Sequence, residues 1–411
     1  MSMTKTSVTT PSRYEYMGAA LSLILSTPGS MPADWLPQAT TYDLPRHFSE
    51  AVFIDAFYQV AQHLYTEQVS DAEVIRTQLV SCGLPYDYAR LGQPLSTLYE
   101  WCVAHLSGAD KAVAFASATK AFLSVIEARS NPAQEVILYC EGALPLSSVY
   151  KQSLNDQQVR IFEHVAPDTD LETLYTPKDA SHSLQLYVYQ TPFEYAHRKA
   201  LQSLAVDAVT YPCSEGSILL IKAKEKIDPQ AIQVIRKRTV SALLPGNCEV
   251  ELRTLLNLPV ADTSSHTEAP EPYSALKQAC AETIHQLYPE VSPEHSAYFC
   301  TGLAAESAVF EAAAQIVAPT GTVPFYYAQN GYGGTGQLIG ELLPRKGRIQ
   351  PSPLTVIDTH DTQNNQTLVD RFIERLQQHK GEPVLLFLET PTNPQLQMHD
   401  FEQLVRALKD Y

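Results

Sequence analysis

The chain has 411 residues, of which 45% are hydrophobic and 18% are charged, and its formal net charge is −16 at pH 7. This length allows two or three domains, each large enough to bury its own core. The negative charge argues against a nucleic-acid partner and against an anionic membrane surface, because both repel an acidic protein.

The first 80 residues are predicted to be mostly helical. Within them, the apolar run Met17–Ser26 follows two basic residues, as the core of a signal peptide does. Glu15 interrupts the basic segment, however, and no small-x-small cleavage pattern follows the run. The run is therefore interpreted as a first amphipathic helix, and no segment approaches the roughly 18 apolar residues of a membrane span.

Between residues 81 and 260, short apolar strands alternate with helical patterns. The predicted strands are AVAFAS (112–117), EVILYCEG (135–142) and LQLYVYQTP (184–192), and a long helix is expected over residues 228–244. Strands of this length between helices are typical of parallel α/β units.

A polar, aperiodic stretch at residues 261–272 predicts a linker, and the same pattern restarts after it, from residue 273 to 411. Its predicted strands are AYFCTG (297–302), TVPFYYAQ (322–329) and PVLLFLET (383–390). The order of helices and strands repeats that of residues 95–150, which indicates a diverged internal repeat. The predicted fold class is therefore α/β, with two three-layer α/β/α units, mainly parallel sheets and a helical N-terminal segment.

In the second copy, three polar turns follow predicted strands, which is where open α/β sheets place their ligands. The first turn is Thr301-Gly302-Leu303, before a helix, where exposed backbone N–H groups could hold an anion. Thr-Gly in front of a helix is also a common helix cap, and that reading stays open.

The second turn surrounds one aromatic ring, Tyr332, with three glycines in the sequence NGYGGT (330–335). The ring could stack on a planar heterocycle, although a plain surface turn has the same composition. The third turn is ETPTNP (389–394), in which two prolines stiffen a segment that carries a carboxylate, two hydroxyls and an amide.

In this order and spacing, the three turns resemble the Cys/Met-metabolism family of pyridoxal-phosphate (PLP) enzymes. That group includes the cystathionine γ-synthases, γ-lyases and β-lyases and the sulfhydrylases. The stretches TGLAAESAV, YGGTGQL and ETPTNPQLQMHD stand where the family has its phosphate turn, its Tyr-Gly-Gly-Thr turn and its Glu-Thr-Pro-Thr-Asn-Pro turn followed by Asp. The resemblance implies two large domains of the PLP-transferase type and pyridoxal 5'-phosphate as cofactor.

The resemblance also implies a role for each matching residue. Thr301 and the amides of Gly302 and Leu303 would hold the cofactor phosphate, and Tyr332 would stack on the pyridine ring. Glu389 and Asn393 would lie at the edge of that ring, with Asn393 near the phenolic oxygen. Tyr332, Glu389 and Asn393 are accordingly the predicted catalytic residues, and no metal ligand is predicted.

The first copy keeps a different part of the family's pattern. YARLGQPLSTLYE resembles the segment whose Tyr and Arg reach the phosphate of the neighbouring subunit, and Tyr88 and Arg90 occupy those positions. Arginine suits a phosphate because its guanidinium donates two parallel hydrogen bonds. The cofactor turns of this copy have diverged, with Ala118 at the glycine position and Leu146 at the stacking position.

The segment after residue 189 aligns with the family's ring-nitrogen Asp and Schiff-base Lys. On that alignment Gln190 replaces the Asp and Glu215 replaces the Lys, and the Glu-Thr-Pro-Thr-Asn-Pro turn is deleted. A carboxylate cannot form an imine, so the first copy is interpreted as a pseudo-catalytic domain. A divergent α/β segment that only aligns by chance is the alternative.

The second copy has no lysine at the position of the family's Schiff base, because the chain ends in the helix after the third turn. Two hypotheses follow. The chain is part of a longer or split enzyme of the transsulfuration type, or it is a catalytically inactive partner subunit that dimerises with an active relative. In both, the partners are an amino-acid substrate and subunits of a homo- or hetero-oligomer, and neither nucleic acid nor membrane is expected.

Cysteine usage bears on the compartment. The seven cysteines are scattered, without a C-x-x-C pair. This pattern is typical of reduced thiols and predicts a cytoplasmic protein. A single nucleophilic cysteine remains the alternative role for one of them.

The second copy keeps the cofactor turns but has SSHTEAPEPYSALKQ, without Tyr-x-Arg, before its first helix. The losses of the two copies are therefore complementary and generate a first prediction. If Tyr88 and Arg90 complete the phosphate site formed by residues 301–303, the replacement Arg90→Ala should weaken pyridoxal 5'-phosphate binding. A titration of the cofactor by absorbance measures the change, and an unchanged affinity would contradict the hypothesis.

Overall fold

The computed structural model describes most of the chain, and the residues it describes are 11–35, 49–85, 91–129, 131, 133–177, 179, 181–194, 201, 203–260, 273–290, 292–299, 301–354, 368–379, 381–392, 396 and 398–410. They divide into two compact units. Unit 1 comprises residues 1–126, 134–237 and 241–271, and unit 2 comprises residues 127–133, 238–240 and 272–411.

The N-terminal helices belong to the core of unit 1. The predicted first helix is confirmed as α1, where Ser12 and Glu15 form a reciprocal capping box. Met17 on α1 and Phe53 on α2 are fully buried in the same hydrophobic cluster as Leu95 on α4. The helices of this unit are α1 (Arg13–Ser26), α2 (Glu50–Thr66), α3 (Ala72–Ser81), α4 (Pro94–Ser107), α5 (Lys120–Glu127), α6 (Ser148–Asp156), α7 (Leu171–Leu174), α8 (Pro229–Thr239) and α9 (Pro245–Leu255).

The sheet of unit 1 has six strands in the order β1-β6-β5-β4-β2-β3. The strands are β1 (Lys111–Phe115), β2 (Val136–Cys140), β3 (Val159–Phe162), β4 (Leu184–Val188), β5 (Ala208–Cys213) and β6 (Gly216–Ile221). Neighbours β3, β2, β4 and β5 pair in parallel, whereas β6 is antiparallel to both β5 and β1. The prediction of an α/β fold with a mainly parallel sheet is therefore confirmed.

A buried ion pair joins three elements of unit 1. Arg236 of α8 donates to Glu100 of α4, and both side chains are almost fully excluded from solvent, at 1% and 2% exposure. Arg236 also donates to the carbonyl oxygens of Ala114 in β1 and of Leu91, at 2.7 and 2.8 Å. The Glu100 carboxylate accepts the N–H of Ala114 at 2.8 Å. These bonds satisfy the polar groups that burial would otherwise leave without partners.

Unit 2 repeats part of the element order of unit 1. Its helices are α10 (Tyr273–Leu287), α11 (Gly302–Val317), α12 (Gly333–Gln337), α13 (Leu368–Gln378) and α14 (Phe401–Asp410). A π-helical turn (Leu338–Leu342) and a 3-10 turn (Leu343–Lys346) extend α12. Its strands are β7 (Val323–Ala328), β8 (Ile349–Leu354) and β9 (Leu385–Phe387). The helix–strand series from α11 to β9 matches that from α5 to β4.

The sheet of unit 2 has the order β8-β7-β9, and both pairings are parallel. The corresponding strands of unit 1 have the order β3-β2-β4, also with parallel pairing. In each unit the first strand of the series is central, the second lies on one side and the third on the other. The shared order supports the internal repeat predicted from the sequence.

One predicted strand is wrong. Ala297, Tyr298 and Phe299 of the AYFCTG segment are not in a strand, and Cys300 lies outside the described residues. The equivalent strand of unit 1, β1, pairs only with β6, which stands two places from β4 in the sheet order. Among the described residues of unit 2, three strands form the sheet, so the segment has no neighbouring strand with which to pair.

The ion pair makes a prediction about the stability of unit 1. The replacement Arg236→Met leaves the Glu100 carboxylate buried without its counter-charge and should lower the free energy of unfolding by about 3–5 kcal/mol. Both tryptophans of the chain, Trp35 and Trp101, lie in unit 1, so their fluorescence during urea unfolding reports on this unit. The double variant Glu100→Gln/Arg236→Met should recover part of the loss. A loss below about 1 kcal/mol in the single variant would contradict the assignment.

Candidate functional site

Parallel pairing brings the last two predicted turns of unit 2 together. Tyr326 and Tyr327 of β7 pair with Leu386 and Phe387 of β9, and both strands run in the same direction. Their carboxyl ends therefore meet at one edge of the sheet, where each strand passes into one of the predicted turns.

The first turn caps α11. Thr301 has extended backbone angles, and its hydroxyl accepts the N–H of Ala304 at 3.1 Å. The helix cap considered as the alternative role of this turn is therefore present. The N–H groups of Gly302 and Leu303 belong to the first helical turn, where the helix itself offers no acceptor. Gly302 is exposed and Leu303 is 4% exposed, and this helix end carries the positive end of the helix dipole.

The second turn lies beside the first, with Gly334 close to both the Tyr332 ring and the Leu303 side chain. A Cβ added to Gly334 would lie 2.5 Å from Cε1 of Tyr332 and 3.0 Å from Cδ1 of Leu303. Only glycine leaves room for this contact. The Tyr332 side chain keeps 39% of its surface exposed, so its ring is available at the edge of the site.

The third turn holds the second by its backbone. The Tyr332 N–H donates to Oε2 of Glu389 at 2.5 Å. The same oxygen lies 2.9 Å from the position that a Cβ on Gly331 would take. Glu389 follows β9 directly, so its carboxylate reaches the adjacent turn only because the two strands are neighbours.

Five of the predicted site residues thus come together in unit 2. They are Thr301, Gly302, Leu303, Tyr332 and Glu389. The other three, Asn393, Tyr88 and Arg90, lie outside the described residues, and their predicted roles stay predictions.

Sequence reasoning missed Glu306, which lies one helical turn after Gly302. Its Oε2 accepts the hydroxyl of Thr335 at 2.6 Å, and Thr335 is only 4% exposed. Burial raises the pKa of Glu306, the bond from Thr335 opposes this, and the negative charge of Glu389 raises the pKa further. The i, i+4 spacing from Gly302 was the signal that could have placed Glu306 on the face of the first turn.

His399 is a second missed residue, at the far end of the third turn. Burial lowers the pKa of its imidazole, although a bond with the backbone of Glu389 opposes that shift. The ring is therefore largely neutral at pH 7.

In unit 1 the equivalent turns are also joined by a carboxylate, but it belongs to the turn after β2 and not to the turn after the third strand of the series. Glu141, after β2, accepts the N–H groups of Gln190 and Thr191, after β4, at 2.6 and 3.1 Å. A Cβ on Gly142 would clash with the Gln190 side chain, 2.2 Å from its Oε1, as a Cβ on Gly331 would approach Glu389. By strand order, Gln190-Thr191-Pro192 thus stands where Glu389-Thr390-Pro391 stands, which differs from the predicted match of Gln190 to the family's Asp.

The position predicted to replace the Schiff-base lysine is also defined. Glu215 lies with Ser214 in the two-residue connection between β5 and β6, and its φ of 55° is left-handed. The next residue, Gly216, has no room for a side chain, because a Cβ would lie 2.1 Å from the carbonyl oxygen of Phe115. Glu215 therefore serves a tight hairpin turn.

The described lysines of unit 2 lie away from the three turns or are paired. Lys346 donates to Glu311 at 2.6 Å. Lys277 and Lys409 are exposed on α10 and α14. Lys380 lies outside the described residues.

The alternative of a nucleophilic cysteine finds no support at three of the buried positions. Burial raises the pKa of Cys82, Cys102 and Cys140 to about 12. These thiols are therefore protonated at neutral pH and poor nucleophiles. Among the described residues, no cluster of three or more metal-ligating side chains occurs and no helix has the length and apolarity of a membrane span.

Unit 1 also contains an open cavity of about 750 Å³, beside Trp101. Its charged lining residues pair with each other, as Arg13 does with Asp55 and Lys111 with Glu50. The lining is consequently of mixed charge and does not select one sign of ligand.

No protein-family model matches the chain, and no curated protein matches it. Among solved structures, the chain is similar to a cystathionine gamma synthase from Xanthomonas oryzae pv. oryzae, with 16% identity and a TM-score of 0.30 over 50% of this chain and 58% of the other. It is likewise similar to a cystathionine gamma-lyase from Lactobacillus plantarum, with 16% identity and a TM-score of 0.32 over 50% of this chain and 59% of the other. The chain thus spans about three fifths of the length of these enzymes, which belong to the group that the sequence motifs resemble.

The packing of the second turn gives a prediction with a matched control. The replacement Gly334→Ala forces its Cβ into the Tyr332 ring and the Leu303 side chain and should destabilise unit 2 by about 1–3 kcal/mol. Gly336→Ala, in the same short helix, meets no atom within 4 Å and should be neutral or stabilising. Urea unfolding followed by circular dichroism measures both, while tryptophan fluorescence should report no change in unit 1. Equal effects of the two replacements would refute the packing argument.

Proposed function

We propose that unit 2 binds pyridoxal 5'-phosphate at its three turns and that the protein serves amino-acid metabolism of the transsulfuration type. The observation that carries this proposal is the convergence of the helix N-terminus at Gly302 and Leu303, the accessible ring of Tyr332 and the carboxylate of Glu389. Their sequence motifs resemble one cofactor family, and the fold brings the motifs into contact.

The residues present fit the cofactor in two respects. A helix N-terminus with an exposed glycine is suited to a phosphate, because unpaired N–H groups and the helix dipole both favour an anion. The Tyr332 ring, partly exposed beside that helix end, is suited to stack on a planar heterocycle. Once bound, pyridoxal phosphate would supply an electron sink for the bonds around an amino-acid α-carbon.

The chain's own residues would bind and orient. Gly302 and Leu303 would donate backbone N–H bonds to the phosphate, with Thr301 fixing the start of the helix. Tyr332 would set the plane of the ring, and Glu389 would hold the Tyr332 backbone in place. Asn393 would contribute at the edge of the ring.

The proposed substrate is an amino acid with a leaving group at its β- or γ-carbon. Tyr88 and Arg90 would complete the phosphate site in an oligomer, either homomeric or heteromeric. A cytoplasmic location agrees with the odd number of scattered cysteines, of which the six that the structure describes are free.

A second candidate function is that of a non-catalytic partner subunit that holds the cofactor without a covalent bond. The observation in its favour is the state of the described lysines of unit 2, where Lys346 is paired with Glu311 and Lys277 and Lys409 lie on exposed helix faces. Borohydride treatment of the protein with cofactor separates the two candidates. Permanent attachment of the cofactor favours the enzyme, and full release on dialysis favours the partner subunit.

Removal of the stacking ring tests the site. The replacement Tyr332→Ala should weaken pyridoxal 5'-phosphate binding by about 1 kcal/mol, or roughly fivefold in Kd, while Tyr332→Phe should retain most of the affinity. Tyr288→Ala removes a more exposed ring, at 56% against 39% for Tyr332, outside the three turns and serves as the control. Cofactor absorbance during titration provides the measurement. Equal affinity of the wild-type protein and the Tyr332→Ala variant would count against the proposed site.

A further inference from the structure

The turn that carries Tyr332 is held at both ends by carboxylates from different elements. Glu389, after β9, accepts the Tyr332 N–H at the start of the turn. Glu306, on α11, accepts the Thr335 hydroxyl at its end. The first of these acids belongs to a recognised motif, whereas the second does not.

Loss of the hydrogen bond between Glu306 and Thr335 is expected to disturb the turn strongly. Thr335 is buried, so its hydroxyl has little access to water that could replace the carboxylate. A bond from a hydroxyl to an ionised acceptor is stronger than one between neutral groups. Removal of the Glu306 carboxylate would leave the buried Thr335 hydroxyl without this acceptor.

The bond also determines the position of the ring. Thr335 lies three residues after Tyr332, and the Gly336 N–H donates back to the Tyr332 carbonyl at 3.1 Å. Anchoring Thr335 to α11 therefore fixes the one-turn helix that begins behind the ring. With Gly334 pressed against the ring itself, a shift of Thr335 is transmitted directly to Tyr332.

The phosphate donors do not depend on this bond. The start of α11 is fixed by the Thr301 hydroxyl, which caps Ala304, and by the Ala305 N–H, which donates to the Thr301 carbonyl at 3.1 Å. Loss of the Glu306 carboxylate leaves those contacts intact. An effect on the ring is therefore separable from an effect on an anion at the helix N-terminus.

We propose that Glu306 is a positioning residue that acts through Thr335 to hold the Tyr332 ring in its stacking position. Its action on the turn stands on the described contacts alone. Its effect on a ring-containing ligand rests on the proposed function. Glu306 would select for ligands with a planar ring and would not affect the affinity for phosphate by itself.

The experiment compares Glu306→Ala, Glu306→Gln and Thr335→Val in the full chain. Hydrogen exchange of the backbone over residues 330–337 measures the order of the turn without any ligand. We expect exchange to accelerate about tenfold in Glu306→Ala and Thr335→Val, as a lost hydrogen bond of this type implies. Glu306→Gln keeps an oxygen acceptor for the hydroxyl and should remain near the wild type. Glu402→Ala, on the exposed face of α14, controls for removal of a helical carboxylate.

Ligand titrations of the same variants complete the test. Glu306→Ala should raise the Kd for pyridoxal 5'-phosphate about fivefold and change that for inorganic phosphate by less than twofold. Unchanged exchange in both Glu306→Ala and Thr335→Val would overturn the positioning role, whatever the ligand does. Equal weakening of both ligands would also overturn it, because the effect would then lie at the helix N-terminus. If the wild-type protein binds no pyridoxal 5'-phosphate but exchange accelerates as expected, the proposed function fails and the positioning of Tyr332 is supported.

Discussion

The parallel pairing of β7 and β9 is the constraint on which the candidate site depends. It places the ends of two strands, separated by more than fifty residues of sequence, side by side at one edge of a sheet. The Glu389 carboxylate reaches the Tyr332 backbone only in this register. A slip by one residue would turn the Glu389 side chain to the other face of the sheet and separate it from Gly331.

The two units show how one arrangement can diverge. Both place a side chain from one strand end over a glycine after the neighbouring strand, and both join the two turns through a single carboxylate. In unit 2 the acid is Glu389, after β9, whereas in unit 1 it is Glu141, after β2. In unit 1 the side chain over the glycine is an amide, and Nε2 of Gln190 donates to the carbonyl of Ala143. The packing is retained, while the turn that supplies the accepting carboxylate and the turn that donates the N–H groups have exchanged roles.

The sequence predicted five of the observed strands from their apolar runs and missed β3, β5 and β6 as well as β8. β1, β2, β4, β7 and β9 agree with expectation. β8 was missed because Pro351 and Pro353 occupy it, which is tolerated at the edge of a sheet. The wrong strand at Ala297–Phe299 has the right composition but no partner, and pairing depends on distant strands that periodicity does not report.

The site, like the strands, was predicted only where a local stretch of sequence carries the signal. Thr301, Tyr332 and Glu389 lie in short motifs with glycines and prolines, and such motifs are visible in the sequence. Glu306 lies in a regular helix, where a glutamate is unremarkable. Its role depends on Thr335, twenty-nine residues away, and only the fold brings the two together.

The glycines after β2 and β7 carry a consequence for any comparison of this chain with its relatives. A Cβ at Gly142 or Gly331 would meet the end of a side chain from the neighbouring turn, Gln190 or Glu389, whether or not a ligand is present. Glycine at either position therefore reflects packing at the sheet edge and is not by itself a sign of selection for a cofactor. The informative position is Tyr332, which is 39% exposed and whose ring is proposed to stack on the ligand, whereas Glu306 bonds the buried Thr335 hydroxyl with or without a ligand. Loss of the ring at Tyr332, with Glu306 and Thr335 unchanged, would mark a copy that has lost its ligand and kept its shape.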